Sequence, residues 1–393
     1  MRRTHGKWMS VQPQRYCPVY EPLDAPEDGL QPLEPLLQAL AADQAVAEDV
    51  QFPIGTLRPD GRLDLCKQNL GVSGCYGVAD ALRANTTVSA LLLGTNGIGD
   101  VGAAAVGELI EANARLETVY LGCNAIGAVG VAHLCDALKE NETVVNLWLK
   151  RNPLGRQGFQ QIGEMLRTNR TLRTLDLVNT DLDVDSLTYL VEILCEHNQT
   201  IQHLYLSGNQ LDGSAAAALG QLLRLSPQIE SLFLSVNRLG DDGAIQLAEG
   251  LRENRTLRML GLASNGIGEQ GGYEILMAAA EHRSLLDLDL GVKPSMRVLG
   301  SAPNQVGEKG AHAVVALLEK NNTLCRLNLA GNHFGRKTTA TIADALEGNT
   351  TLRKLVMKRR GDKRFAAYLE RNNMSDAMPI MLPHVQSIRS IYR

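Results

Sequence analysis

Residues 89–127 read SALLLGTNGIGDVGAAAVGELIEANARLETVYLGCNAIG, and this stretch holds one pattern twice. Leu91, Leu93, Asn96, Ile98 and Gly99 return as Val119, Leu121, Asn124, Ile126 and Gly127, all at one 28-residue offset. The apolar alternation at the front of each copy is the period-two signature of a short strand. The apolar residues that follow Gly99 recur at helical spacing. A strand, a turn and a helix of this size cannot bury an apolar face alone, so copies of the unit must stack.

Worked outward in both directions, the pattern L-x-x-L-x-L-x-x-N-x-L-G places its second apolar position at Leu63, Leu91, Val119, Leu147, Leu175, Leu204, Leu232, Leu260, Leu288, Leu327 and Leu355. Eight of the ten steps keep the 28-residue offset; one is 29, and one is 39 because of an 11-residue insertion within 292–303. The polar position is Asn96, Asn124, Asn152, Asn209, Asn237, Asn265, Asn304 and Asn332, with Gln68 and Thr180 as stand-ins. An inward Asn at a strand-to-helix turn can satisfy backbone groups that would otherwise be buried unpaired. The second half of the unit, G-x-x-G-A-x-x-L-x-x-x-L-x-x-N, predicts a helix with small residues where it meets the strand layer and an Asn at its stop.

The expected architecture is α/β. About eleven repeats form a leucine-rich-repeat solenoid, a horseshoe with a parallel sheet on its concave face and helices on its convex face. Strands repeat at about 4.8 Å and helices need more room, which bends the stack. These units resemble the ribonuclease-inhibitor subfamily of leucine-rich repeats, found in ribonuclease inhibitors, Ran GTPase-activating proteins and the sensor regions of NOD-like receptors. The resemblance spans Leu63 to about Met357. It implies a protein-binding scaffold and, as alternatives, a GTPase-activating protein for a small GTPase or a bacterial effector or sensor-type repeat protein.

The ends differ from the repeats and from each other. Residues 1–60 carry 5 basic and 9 acidic residues, and are expected to form an N-terminal cap with a helix over 32–46 and a turn at Pro59-Asp60-Gly61. The solenoid is expected over 61–357, interrupted at about 293–303, with a basic C-terminal cap and tail over 358–393. From Leu352 onward there are 10 basic and 3 acidic residues. Lys358, Arg359 and Arg360, together with Lys293 and Arg297 of the insertion, are candidates for a secondary basic contact with an acidic or phosphate-bearing ligand.

Whole-chain composition narrows the classes. A net charge of -4 disfavours a generic nucleic-acid or anionic-membrane binder. The seven cysteines are scattered, with no C-x-x-C pair, which reads as reduced thiols in a cytoplasmic protein, expected to be a monomer. No cofactor or metal is expected, since the histidines fall in different repeats without ligand spacing. No apolar run is long enough to span a bilayer.

The candidate site is the strand face. The residue between the two central apolar positions points away from the core in every unit. That column reads Asp64, Leu92, Tyr120, Trp148, Asp176, Tyr205, Phe233, Gly261, Asp289, Asn328 and Val356, and holds four of the chain's sixteen aromatic residues. Rings displayed on a rigid sheet suit a binding hot spot. Tyr120 with Trp148 and Tyr205 with Phe233 are expected as two pairs split by Asp176, open to a protein partner. Lys150, Arg151 and His203 are expected on a polar rim, and Asp287 and Asp289 as a second polar cluster. No nucleophile and base share the pattern, so an enzyme is not expected.

Overall fold

The computed structural model describes residues 19, 21–26, 29–357, 363–373, 383–386 and 388. Lys358, Arg359 and Arg360 lie outside these. Thirteen strands form one sheet in strict chain order. The first three, Val50–Gln51, Thr56–Leu57 and Arg62–Asp64, pair antiparallel, and every later pairing is parallel. The register aligns the repeats: Leu63, Leu91, Val119, Leu147 and Leu175 are successive partners. Each short strand of the stack leads to a helix on the opposite face, such as Gly99–Ala112 after Ala90–Leu92, and the apolar core lies between the two layers.

Two asparagine ladders stitch neighbouring units together. At the strand-to-helix turn, Asn124 Nδ2 donates to the carbonyls of Leu93 (2.9 Å) and Leu121 (3.0 Å), while its Oδ1 accepts from Asn96 N (2.8 Å). Asn96, Asn152, Asn209, Asn237 and Asn265 repeat these donations. Thr180 closes its rung through Oγ1 to Leu177 O at 2.7 Å. At the helix end, Asn113 Nδ2 donates to Leu82 O and Asn85 O, and its Oδ1 accepts from Arg115 N and Leu116 N. This second ladder accounts for the recurrent N-x-T triplets. Asn85, Asn169, Asn198, Asn254, Asn321 and Asn349 are buried at their helix ends, occupied with backbone. It continues past the last repeat, where Asn372 of the helix Arg364–Asn373 donates to Asn349 O and Leu352 O.

Neighbouring helices are close enough that glycine is required at some crossings. A Cβ on Gly250 would meet the carbonyl oxygen of Gly220 at 2.6 Å and its Cα at 2.9 Å. Gly250→Ala is therefore expected to cost about 1–3 kcal/mol through overpacking. Gly348, with nothing within 4 Å of its added Cβ, serves as the comparison. Urea midpoints measure the difference; equal midpoints for the two alanine variants would show that the crossing yields freely.

The insertion does not project from the solenoid. Its short helical turn Pro294–Arg297 is followed by contacts along three units. Arg238 Nε donates to Gly300 O (2.9 Å), Ser301 Oγ donates to Asn237 O (2.6 Å), and Gly266 N donates to Ala302 O (3.0 Å). Asn304 resumes the ladder by accepting from Asn265 N at 2.9 Å.

Candidate functional site

The strand register puts Tyr120, Trp148, Asp176, Tyr205 and Phe233 in one column. Tyr120 lies across bare backbone, since a Cβ on Gly94 would meet its Cε1 at 2.4 Å and one on Gly122 would meet its hydroxyl at 2.9 Å. Ring centroids are 6.4 Å apart for Tyr120 and Trp148, 5.2 Å for Trp148 and Tyr205, and 4.4 Å for Tyr205 and Phe233. Asp176 does not split them into pairs. The Trp148 indole is wide enough to reach past the intervening strand to Tyr205, giving one unbroken aromatic ladder.

The Tyr120 and Trp148 end of the ladder is also not open to solvent, which corrects the sequence expectation there, while Tyr205 and Phe233 stay partly exposed. Tyr120 retains 3% exposure and Trp148 only 1%. The cover is the chain's own C-terminal segment, in which Pro383–Gln386 form a helical turn. Ile388 is fully buried in a cluster with Leu92, Tyr120 and Trp148, and Val385 packs at its margin with Cys66 and Tyr205. His384 stacks on His203 at 4.0 Å between ring centroids and bonds to Tyr205 Oη through Nε2 at 2.8 Å. The rings form an apolar trough on a rigid sheet, and the nearest apolar segment free of the repeats fills it.

Burial dominates the electrostatics. It lowers the His384 pKa to about 3, with His203 adding to the effect, and that of His203 to about 4, with Arg258 contributing. Both imidazoles are neutral at neutral pH. His203 is thus not a rim residue; it is buried, with Nδ1 3.0 Å from Ser231 Oγ. Asp176 is buried too, and desolvation raises its pKa to about 6 against the lowering influence of Lys150, Val178 N and Arg151. Lys150, whose pKa burial lowers, sits 5.3 Å from the Tyr120 ring centroid. Arg151 occupies a left-handed turn position (φ 61°) beside it. Two polar atoms under this surface have no hydrogen-bond partner: Trp148 Nε1 and Thr174 Oγ1.

Beyond Phe233 the face opens into a hollow of about 520 Å³ that Gly261, Asp287, Asp289, Arg326 and Asn328 help to line. Here the second expected cluster is assembled as ion pairs. Arg326 pairs with Asp287, while Asp289 accepts from Lys293 Nζ (2.7 Å), Asn328 Nδ2 (2.8 Å) and Gly291 N (2.9 Å). Lys293 is therefore engaged with Asp289, whereas Arg297 is exposed on the insertion. The paired carboxylates are held by cations, an arrangement for charge recognition.

The cysteines require a correction. Cys66, Cys75, Cys135, Cys195 and Cys325 are free, but Cys123 is disulfide-bonded, so the set is not uniformly reduced. Burial pushes the Cys66 thiol up to about 12, which leaves it unreactive as a nucleophile. Among the described residues there is no cluster of histidine, cysteine or carboxylate groups that could hold a metal ion, and no helix is long and apolar enough to cross a membrane.

Comparison with known proteins identifies residues 84–107 and 197–220 as matching the leucine-rich-repeat family model. No curated protein matches the chain. Among solved structures, the leucine-rich repeat-containing protein LegL7 of Legionella pneumophila is similar at 16% identity, covering 77% of this chain and 96% of its own, with a TM-score of 0.49. Rad7 in its yeast complex with Elc1 is 18% identical over 69% of each chain, with a TM-score of 0.42. The actin-binding site 2 of leiomodin-1 is 18% identical over 60% of this chain and 94% of its own, with a TM-score of 0.28. With its in-register parallel strands, outer helices and two matched repeats, the chain folds as a leucine-rich-repeat solenoid.

Proposed function

We propose that this chain is a non-enzymatic interaction module, of the ribonuclease-inhibitor-like type, that holds a segment of a protein partner on its strand face. The observation that carries the reading is the ladder Tyr120, Trp148, Tyr205 and Phe233, a continuous trough that grips apolar and imidazole side chains. Burying large, stiff rings orders few rotatable bonds, so such a surface supports binding at low entropic cost. The ion-paired groups Asp287, Asp289, Lys293 and Arg326 border the same face and supply charge recognition at its margin.

Replacing Trp148 and Tyr205 together by alanine is expected to reduce partner capture at least tenfold while far-UV circular dichroism and the thermal midpoint stay close to those of the parent, because neither ring belongs to the core between strands and helices. Capture that survives this change, measured by quantitative affinity purification, would show that the partner docks elsewhere.

A further inference from the structure

The C-terminal segment on the aromatic ladder indicates what the trough is built to hold. His384 and Val385 lie in a helical turn that Ile388 follows, presenting an imidazole and then aliphatic groups one and four positions later. Each finds a matched place: the imidazole between His203 and the Tyr205 hydroxyl, Ile388 in a cluster with Leu92, Tyr120 and Trp148, and Val385 packed at the margin of that cluster. The contact joins residues 179 positions apart, so no repeat-to-repeat regularity requires it.

The fit is incomplete in one respect. Trp148 Nε1 and Thr174 Oγ1 are buried beneath the segment's surface without a hydrogen-bond partner. An unpaired buried donor loses its water and gains nothing in return, which weakens the complex that buries it. A different occupant with a carbonyl or carboxylate at that place recovers the loss. The hollow past Phe233, bordered by ions of both signs, offers such an occupant further contact in line with the trough.

Resting on the interaction-module reading above, we propose that His384, Val385 and Ile388 are an intramolecular stand-in that closes the trough over Tyr120 and Trp148. The partner that displaces it is a protein segment forming a short helical turn, with a ring, aliphatic residues one and four positions on, and a hydrogen-bond acceptor for the Trp148 indole. Tethering gives the chain's own segment a high effective concentration despite its small contact. The partner wins by making the bonds the stand-in lacks. Binding and release are therefore one competition at one site.

The chain's two tryptophans, Trp8 and Trp148, allow a direct test in full-length protein, since Trp8→Phe leaves Trp148 as the single reporter. In that background Val385→Asp with Ile388→Asp is expected to raise acrylamide quenching of Trp148 at least threefold and shift its emission to the red. A labelled peptide of residues 378–390 should then bind the double-aspartate chain at least tenfold more tightly than it binds the parent, whose own segment competes. Trp148→Phe, which removes the unpaired N–H, should tighten the peptide severalfold, and Trp148→Ala should weaken it tenfold.

Equal quenching in parent and double-aspartate chains, or equal peptide affinity for the two, overturns the proposal. So does a parent that sediments as a dimer and becomes monomeric in the double-aspartate form, since the segment would then be exchanged between copies. The underlying function reading fails separately: the peptide would bind the opened trough as expected, yet the opened chain would capture no protein that Trp148→Ala releases.

Discussion

Asn124→Ala lowers the unfolding free energy by about 3 kcal/mol, one of the larger losses expected of a single side chain here. The amide makes three bonds at full burial, to Leu93 O, Leu121 O and Asn96 N; alanine leaves Asn96 N dry, while Leu93 O and Leu121 O each keep one donor, Asn96 Nδ2 and Asn152 Nδ2. The orphaned N–H costs roughly 1–3 kcal/mol and each of the two lost carbonyl bonds about 0.5–1.5 kcal/mol, with some recovery as the turn relaxes. Asn124→Thr should lose about half as much, because Thr180 shows that a hydroxyl can close one of these bonds. Urea unfolding followed by circular dichroism measures both. A midpoint for the alanine variant indistinguishable from the parent would mean that the ladder is ornamental to stability.

Acidification opens the trough. The docked segment holds His384 neutral, its pKa lowered to about 3 by burial and by His203, whereas a released histidine titrates near 6.5. Above about pH 6.5 neither form carries the proton and docking is at full strength. Below it the released segment gains a proton that the docked one refuses, so docking weakens by about 1.4 kcal/mol per pH unit until the lower pKa is reached. At pH 5 this amounts to about 2 kcal/mol, or about thirtyfold. His203, lowered to about 4 under the same segment, acts in the same direction, and Arg258 raises the cost of charging it. The rings of Tyr205 and Trp148 also face His384; Asp176, buried in the same column and raised to about 6, takes up its proton more readily while covered and offsets part of the effect. Trp148 quenching in the Trp8→Phe chain should rise between pH 7.5 and pH 5, and His384→Gln should remove more than half of that rise. A flat profile in the parent would rule out this titration as the opening step.

Much of the fold was legible because its information is local and repeated. The 28-residue spacing placed Leu63, Leu91, Val119 and their successors as strand partners, and the observed register pairs them one to one. The surplus of the one long step was placed in the insertion, where Asn304 does return to the ladder. The column of outward residues was readable as well, since alternation decides which way a strand side chain points. What lies above that column is a different question. The stretch MPIMLPHVQSI at 378–388 is apolar within a basic tail, and that contrast was the available signal for a segment in search of a surface. Its docking partner, however, is set by shape complementarity between distant parts of the chain. Asp176 is no divider for a simpler reason: strand spacing alone separates the rings of Trp148 and Tyr205, and the reach of the indole closes that gap. Alternation along the strand puts Asp287 and Asp289 on one face, but their counter-ions come from the insertion and the following strand.

The ladders also determine how such a molecule can change size. Every coil offers its successor the same amide and the same carbonyls, so a duplicated 28-residue stretch docks with no fresh chemistry. A gain or loss of any other length must be taken up between one ladder position and the next, as the extra residue between Thr180 and Asn209 is, and as residues 292–303 are by folding along the solenoid before Asn304 restores the phase. Growth is thereby quantised: viable variants of this chain should differ in whole coils, with odd lengths absorbed between stitches.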